Sequence, residues 1–589
     1  MATRGLTYPF PIEPLLPVRK FTIFIACLGM MLAFSRISLQ QLQVENVGVD
    51  DANIFFVYAK NFAEGHGFVY NTDGERVEGF SSMLWTLVLA GVFLVFSEPE
   101  PAILFLNLLF GAVTLSCLVN FIGEWISRSI GKPIPPFLGF SGFILLAWSL
   151  LSPGFVIWTT ITLMENGLWT MLAILATLQM FKFAHSGESS LPSRISFALL
   201  LALVILCRPE GMLWSAVLLS CAFLGHWLLD RRLGQAVKEV IIPAATCFFT
   251  VIGLFAFRIW YFGYPFPNTY YAKVSPDRAY NLIEGAKYSV RFHLSHWVLP
   301  VLTLVIVLGV WKLSLSVFRR IRFPDSNNSA QHPSEISWGL ISAVLLVGGI
   351  IPILVGGDHF QFFRFYQVVW PMLPLPLLMF VGPIVAERIN LSLRSKALGL
   401  ILVTGLLLIL PRDSWFDIGP SHRIRSEFNI VKRDRALGDI LNLSFTDTDR
   451  PSIGVVAAGA IALVYDGKVI DMMGLNNLDM AHAEGDRKGR KNHAAFNKDV
   501  LLRQSPEILT PFVVESIEIL ATAHKELLAN SKKHPNEDVL KGLRREQRFL
   551  DAYQLGALRI LDGKLLGGWF RRDYIESLSG RLFYPVIDS

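Results

Sequence analysis

The amino-acid sequence predicts an α-helical, polytopic membrane protein ending in a soluble α/β domain, and three observations carry that expectation. Of its 589 residues, 52% are hydrophobic and 17% charged, whereas soluble proteins are roughly 25% charged and about 45–50% apolar. Leu, Ile, Val and Phe gather into stretches close to the ~20 residues a helix needs to cross ~30 Å of hydrocarbon. After residue 410 the apolar density falls to that of an ordinary globular chain. The expected division is a membrane domain over 1–410 and a soluble domain over 411–589.

The first apolar run, Phe21 to Phe34, follows Arg19 and Lys20 as a signal peptide would, but no small-x-small cleavage pattern comes after it, so it reads as an uncleaved helix. Further runs occupy 82–96, 102–124, 137–151, 167–184, 195–207, 212–229, 238–262, 297–317, 336–355, 366–386 and 397–410. Lys and Arg mark cytoplasmic loops. With the C-terminal domain placed outside, "SRSIGK", "HSGESSLPSR", "DRRLGQAVK", "FRRIRF" and "ERINLSLRSK" all fall on the cytoplasmic side. An N-terminus held inside by Arg19 and Lys20 then requires an odd number of crossings between 80 and 127, where two runs are visible. The shorter, 82–96, is expected to dip into the membrane or lie along it, which leaves eleven full crossings.

Composition excludes several function classes. All five cysteines (Cys27, Cys117, Cys207, Cys221, Cys247) lie in apolar stretches and read as small buried residues, not as a disulfide framework or zinc site. The formal charge of +6 is scattered among the spans, so nucleic acid is not an expected partner. There is no P-loop and no GxGxxG between a strand and a helix.

Under this topology five polar segments share the extracytoplasmic face: 36–81, 152–166, 208–211, 263–296 and 356–365. The first opens with the adjacent carboxylates Asp50 and Asp51. Such a pair repels, so one pKa rises and the pair suits general acid/base work or cation binding; an Asp N-cap of an interfacial helix is the plainer reading. Arg208, between two apolar runs, is a functional candidate because a charge there is costly, and a guanidinium suits phosphate; the alternative is a structural pair with Glu210. Lys273 and Arg364 suit the same phosphate, or anchor helix ends. Asp358 and His359 have metal-ligand chemistry, but one adjacent pair defines no metal site. Tyr58, Tyr270 and Tyr271 suit stacking on a sugar, or an interfacial aromatic belt. In the tail, "SIGVVAAGAIALVYDGKVIDMMG" reads as strand, helix, strand, and 524–553 as a charged, solvated helical stretch.

The segments "DDANIFFVYAKNFAEGHGFVYNTDGERVEGFSSMLWTLVL", "RPEG", "YPFPNTYYAK", "GGDHFQFFRF" and "VIDMMGLNN" occur in the order of similar segments in the mycobacterial terminal arabinofuranosyltransferase family and its wider bacterial relatives, which are GT-C glycosyltransferases. The resemblance runs from about Asp50 to Ala483. It implies transfer of a sugar, hexosyl or pentosyl, from a polyprenyl phosphate to a hydroxyl of a cell-envelope glycan outside the cytoplasm, by a multi-pass protein of the inner (cell) membrane. It makes Asp50 the first choice of catalytic acid residue and Asp51 the second. Arg208, Lys273 and Arg364 become donor-phosphate ligands, and Tyr58, His66, Glu78, Glu165, Glu210, Asn268, Tyr270, Tyr271, Asp358 and His359 line the substrate site. No cofactor is expected, although the carboxylates leave room for a divalent cation. Relatives carry a tyrosine where this chain has Asn53, and "GLTD" where it has "GLNN", Gly474 to Asn477. The resemblance therefore implies the reaction class and not the sugar. The rival reading is a transporter or flippase of a lipid-linked glycan.

Overall fold

The computed structural model describes residues 17–131, 140–186, 189–230, 233–322, 333–388, 414–485, 487–529, 538–578 and 580–586. The membrane half consists of α1 (Pro17–Leu42), α2 (Asp50–Ala63), α3 (Met83–Val95), α4 (Pro99–Ile130), α5 (Phe140–Leu150), α6 (Pro153–Thr159), α7 (Asn166–Ala184), α8 (Leu191–Cys207), α9 (Gly211–Asp230), α10 (Leu233–Phe262), α11 (Asn268–Lys273), α12 (Arg278–His293), α13 (Val298–Arg322), α14 (Pro333–Leu354) and α15 (Leu375–Arg388). Seven of these are long and apolar enough to cross a bilayer, and the chain is a multi-pass membrane protein. The pair α5 and α6, bent by 71° around Leu151 and Ser152, counts as an eighth span if taken together. The expected outer loop at 152–166 thus begins as a tilted, buried helix started by Pro153 at its first turn. The apolar helix 191–207 and the run 370–386 are shorter, and the predicted run at 397–410 lies outside the described residues.

Polar pairs sort the helix ends into two sets. At one end Lys20 meets Glu124 (3.8 Å), Arg194 meets Glu239 (2.7 Å), Lys312 meets Glu335 (3.4 Å) and His185 meets the Ser337 hydroxyl (2.6 Å). This is the end that carries the basic turns. At the other end Ser35 donates to Thr160 (2.9 Å), the amide of Val49 donates to the carbonyl of Thr162 (3.3 Å), and Arg435 of the C-terminal domain pairs with Glu100 (2.6 Å). α3 starts from the loop at this second end, and α4, which follows it, starts there at Glu100. Thirteen residues rise only ~20 Å against ~30 Å of hydrocarbon. Both ends of α3 therefore lie on the C-terminal-domain side, and it does not cross.

α12 carries three stripes. Asn281, Gly285, Tyr288 and Phe292 are buried, Leu282, Ile283 and Val290 are exposed, and Lys287 and Arg291 form a cationic flank. That pattern suits a helix lying in the headgroup layer.

The C-terminal domain begins with α16 (Arg425–Ser444) and contains β1 (Ile453–Val455), α17 (Ala460–Val464), β2 (Val469–Asp471), α18 (Leu478–His482), β3 (Ile508–Val514), β4 (Tyr553–Arg559), β5 (Leu565–Arg571) and β6 (Phe583–Pro585). The sheet order is β2-β1-β3-β5-β4-β6, parallel through the first three strands and antiparallel beyond. The expected strand, helix, strand unit is β1-α17-β2, with Ile453 opposite Val469. Of the expected solvated stretch at 524–553, residues 530–537 lie outside those described, and a short helix, Gln547–Ala552, closes it.

Side-chain amides tie this domain to the membrane half. Asn71 pairs with both backbone groups of Val469 (2.9 and 3.0 Å), imitating an added strand residue. Arg435 donates twice to Asn53 (2.6 and 3.0 Å), so this asparagine is an anchor for α16.

Candidate functional site

A cavity of about 410 Å³ opens where α2, α9, α10, α11 and α14 meet the turn before α7, the turn between α8 and α9 and the turn before α15, at the C-terminal-domain end of the helices. All five segments expected on one face contribute to it: Asp51, Glu165, Arg208 with Glu210, Tyr270 with Lys273, and Arg364.

The two aspartates part company. Val49 is the N-cap of α2 and neither carboxylate caps that helix. As the first two helical residues they project ~100° apart. Asp50 points to the C-terminal domain, where it accepts the amides of Gly459 (3.1 Å) and Ala460 (2.8 Å) at the start of α17. Gly459 has to be glycine, because a Cβ there would sit 2.0 Å from the Asp50 carbonyl oxygen. Asp51 alone of the pair lines the cavity, 3.7 Å from Nζ of Lys273 and 3.4 Å from Nη1 of Arg364. The first choice drawn from the resemblance thus docks a domain, and the second faces the cavity.

Environment separates them further. Burial, then the charge of Asp434, pushes the Asp50 carboxyl from 3.8 to about 7 against the pull of the two amides. For Asp51 burial is outweighed by Lys273 and then Arg364, which hold it below the ordinary carboxylate range. Asp50 binds its proton more tightly in the folded protein, so its stabilising contribution is complete below an ordinary carboxylate pKa and lost as pH rises through about 7. Hydrogen exchange at 455–465 is accordingly expected to show tighter docking in mild acid, with Asp50→Asn flattening the pH dependence. An unaltered profile in that variant would count against the assignment.

Arg364 sits in a turn with two left-handed residues, Phe362 (φ 60°) and Phe363 (φ 51°). Such conformations cost about 1–3 kcal/mol each and persist where packing over-determines them. Phe362 stacks on His422 (4.8 Å) and Phe363 packs against Tyr288 (5.4 Å). The guanidinium lies over Phe360 (4.4 Å) and donates from Nε to Asp358 (2.7 Å), leaving Nη1 toward Asp51. Burial of Asp358 is outweighed by Arg364 and His359, which hold its carboxyl well below its usual range.

Arg208 is committed to two carboxylates, Glu165 and Glu210 (3.0 and 3.1 Å). Within "RPEG" the arginine and glutamate pair, and Gly211 lies where a Cβ would meet the Val204 carbonyl at 2.0 Å.

Several expected substrate residues do not line the cavity. The Tyr58 hydroxyl accepts the Gly79 amide (3.1 Å) in the core, and Glu78 makes a bidentate pair with Arg258 (2.9 Å). His66 lies exposed in a turn, Tyr271 packs against the ring of His482 (4.3 Å), and Asp358 and His359 stand behind Arg364. Asn268 donates to the carbonyls of Gly474 (2.8 Å) and Leu475 (3.1 Å), clamping the C-terminal domain. Asn268→Ala is expected to cost about 1–3 kcal/mol by stranding buried carbonyls, read as a lower thermal midpoint. Among the lining residues that sequence reasoning missed are Arg258, Leu475 and Asn492. Asn492 reaches in from the C-terminal domain to donate to Asp358 (2.9 Å). Among the described residues no three His, Cys, Asp or Glu side chains come together as metal ligands.

Fold and site together define a multi-pass membrane protein whose sheet domain closes a charged cavity at one end of its helices. A family described as a domain of unknown function, DUF8728, matches residues 424–555, from α16 into β4. No curated protein matches the chain. Among solved structures the chain is similar to the Archaeoglobus fulgidus oligosaccharyltransferase in the apo form, at 11% sequence identity and a TM-score of 0.46, over 96% of this chain and 76% of that one. A likeness of that degree carries no functional argument.

Proposed function

We propose that this protein is a membrane glycosyltransferase of the GT-C type, moving a sugar from a polyprenyl phosphate to a hydroxyl of an envelope glycan on the extracytoplasmic face. One observation carries the reading: a carboxylate, Asp51, stands beside two cations, Lys273 and Arg364, on the lining of a cavity at the ends of membrane helices. Lys273 and Arg364 bind the donor phosphate. The acceptor oxygen forms a bond to the anomeric carbon as the bond from that carbon to the phosphate oxygen breaks, and polyprenyl phosphate leaves with the electron pair. Asp51 takes the proton of the acceptor hydroxyl. A strongly depressed carboxylate is a poor base. Here the donor phosphate draws the two cations to itself, so Asp51 gains basicity when the substrate is in place. Arg208, already shared by two carboxylates, holds Glu165 and Glu210 in position and does not bind the phosphate. The transporter reading calls for ionisable groups near the bilayer midplane, whereas the charged groups of this cavity gather at helix ends.

Glycan and lipid analysis of a deletion strain tests the proposal. One glycan linkage is expected to disappear while a prenyl-phosphate sugar accumulates. Unchanged glycans together with an unchanged lipid pool would refute it.

A further inference from the structure

Two residues that line the cavity each carry a polar atom without a partner among the described residues. Oε2 of Glu165 accepts no hydrogen bond, while Oε1 of the same carboxylate holds Arg208. Nη1 of Arg258 donates to nothing, while Nε and Nη2 hold Glu78. Both side chains are sealed from solvent, at 0% and 3% exposure, and both line the cavity. Buried polar atoms are almost always paired, so an orphan acceptor and an orphan donor on residues that line one cavity call for a partner.

The charges say what kind of partner fits. The positive charge of Arg258 is met by Glu78, while Arg208 is shared between Glu165 and Glu210, which leaves one negative charge over. An anion would meet that surplus and gain no uncompensated cation, and a cation would leave Nη1 of Arg258 without an acceptor. A neutral group offering both a hydroxyl proton and an oxygen lone pair serves both kinds of atom, and the hydroxyls of a sugar are such groups. The supports are rigid. Glu165 is the N-cap of α7, and Arg258 lies one turn from the end of α10.

We propose that Glu165 and Arg258 form the subsite for the hydroxyls of the transferred sugar: one hydroxyl donates to Oε2 of Glu165, and a sugar oxygen accepts from Nη1 of Arg258. This rests on the reading of the protein as a polyprenyl-phosphate-dependent transferase. Lys273 and Arg364 then recognise the phosphate, and Glu165 with Arg258 recognises what the phosphate carries.

Equilibrium binding in nanodiscs tests it, with three lipids: decaprenyl phosphate, and the same lipid bearing arabinofuranose or mannose. Wild type is expected to bind at least one sugar lipid about tenfold or more tightly than decaprenyl phosphate, each tenfold being one 1.4 kcal/mol step. Glu165→Gln and Arg258→Lys are expected to lose most of that preference while still binding decaprenyl phosphate, which also certifies their fold. Because Arg258→Lys loosens a buried pair, wild type is tested in parallel with sugar lipids lacking one hydroxyl at a time, and at least one such deletion should abolish the preference. Equal wild-type affinity for all three lipids would overturn the subsite, as would a preference that survives both substitutions and every hydroxyl deletion, the pattern expected were water the partner of both atoms. Failure of wild type to bind any of the three would defeat the transferase reading itself.

Discussion

Asp51→Asn is expected to abolish sugar transfer by the purified protein, lowering kcat by about 10²–10⁴, the usual worth of a positioned general base. Asparagine keeps the size of the side chain and most contacts of α2 but cannot take a proton. It also releases Lys273 and Arg364 from their carboxylate, so donor binding should hold or tighten while turnover collapses. Asp50→Asn provides the contrast. It keeps a neutral acceptor for the Gly459 and Ala460 amides and should remove the pH dependence of docking, with turnover retained once the protein is folded. Measured side by side in nanodiscs, the two variants divide roles that the adjacent letters of the sequence leave merged. Equal loss in both, or loss in Asp50→Asn alone, would reverse the assignment.

Arg364→Ala carries the second large effect, and it acts twice. The substitution deletes a phosphate ligand, and it leaves Asp358 buried beside a neutral side chain. Removing one partner of a buried ion pair typically costs about 3–5 kcal/mol. Asn492 still donates to Asp358, so the loss should fall short of unfolding. Arg364→Lys separates the two effects. An ammonium can restore charge beside Asp358, but it lacks the fork that meets Asp358 through Nε and Asp51 through Nη1 at once. Thermal stability should recover most of the way in the lysine variant while KM for the donor stays raised. Full recovery of both would show that Arg364 acts only as a local counter-charge.

The sequence made the broad plan legible because its signals there are periodic and additive. Apolar run length marks the helices, and the Lys and Arg bias sorts their ends. These two were enough to bring five remote segments to one face, where the cavity gathers them. They also singled out 82–96 as the run that does not cross. The finer assignment was out of reach for specific reasons. Choosing between Asp50 and Asp51 turns on one helical step about an axis whose rotation is fixed by contacts some 400 residues away, at Gly459. Tyr58, Glu78 and Asn268 have side chains suited to a sugar, but each is consumed by a structural partner, the Gly79 amide, Arg258 and the Gly474 carbonyl. Leu475 and Asn492 enter from the C-terminal domain, and no local pattern announces a contact made across the whole fold. Arg258 could have been found: a charge inside the apolar run 238–262 is a candidate by the same argument that singled out Arg208.

The account turns on where the lipid phosphate sits. Decaprenyl phosphate carrying a diazirine beside its phosphate, photolysed in nanodiscs with the purified protein and followed by peptide mapping, reads that position most directly. The account predicts label on residues 266–274 and 351–365, competed by unmodified decaprenyl phosphate and lost when Lys273 and Arg364 are both replaced by alanine. Label confined to the lipid-facing sides of α10 and α13, and unaffected by that double substitution, would contradict it.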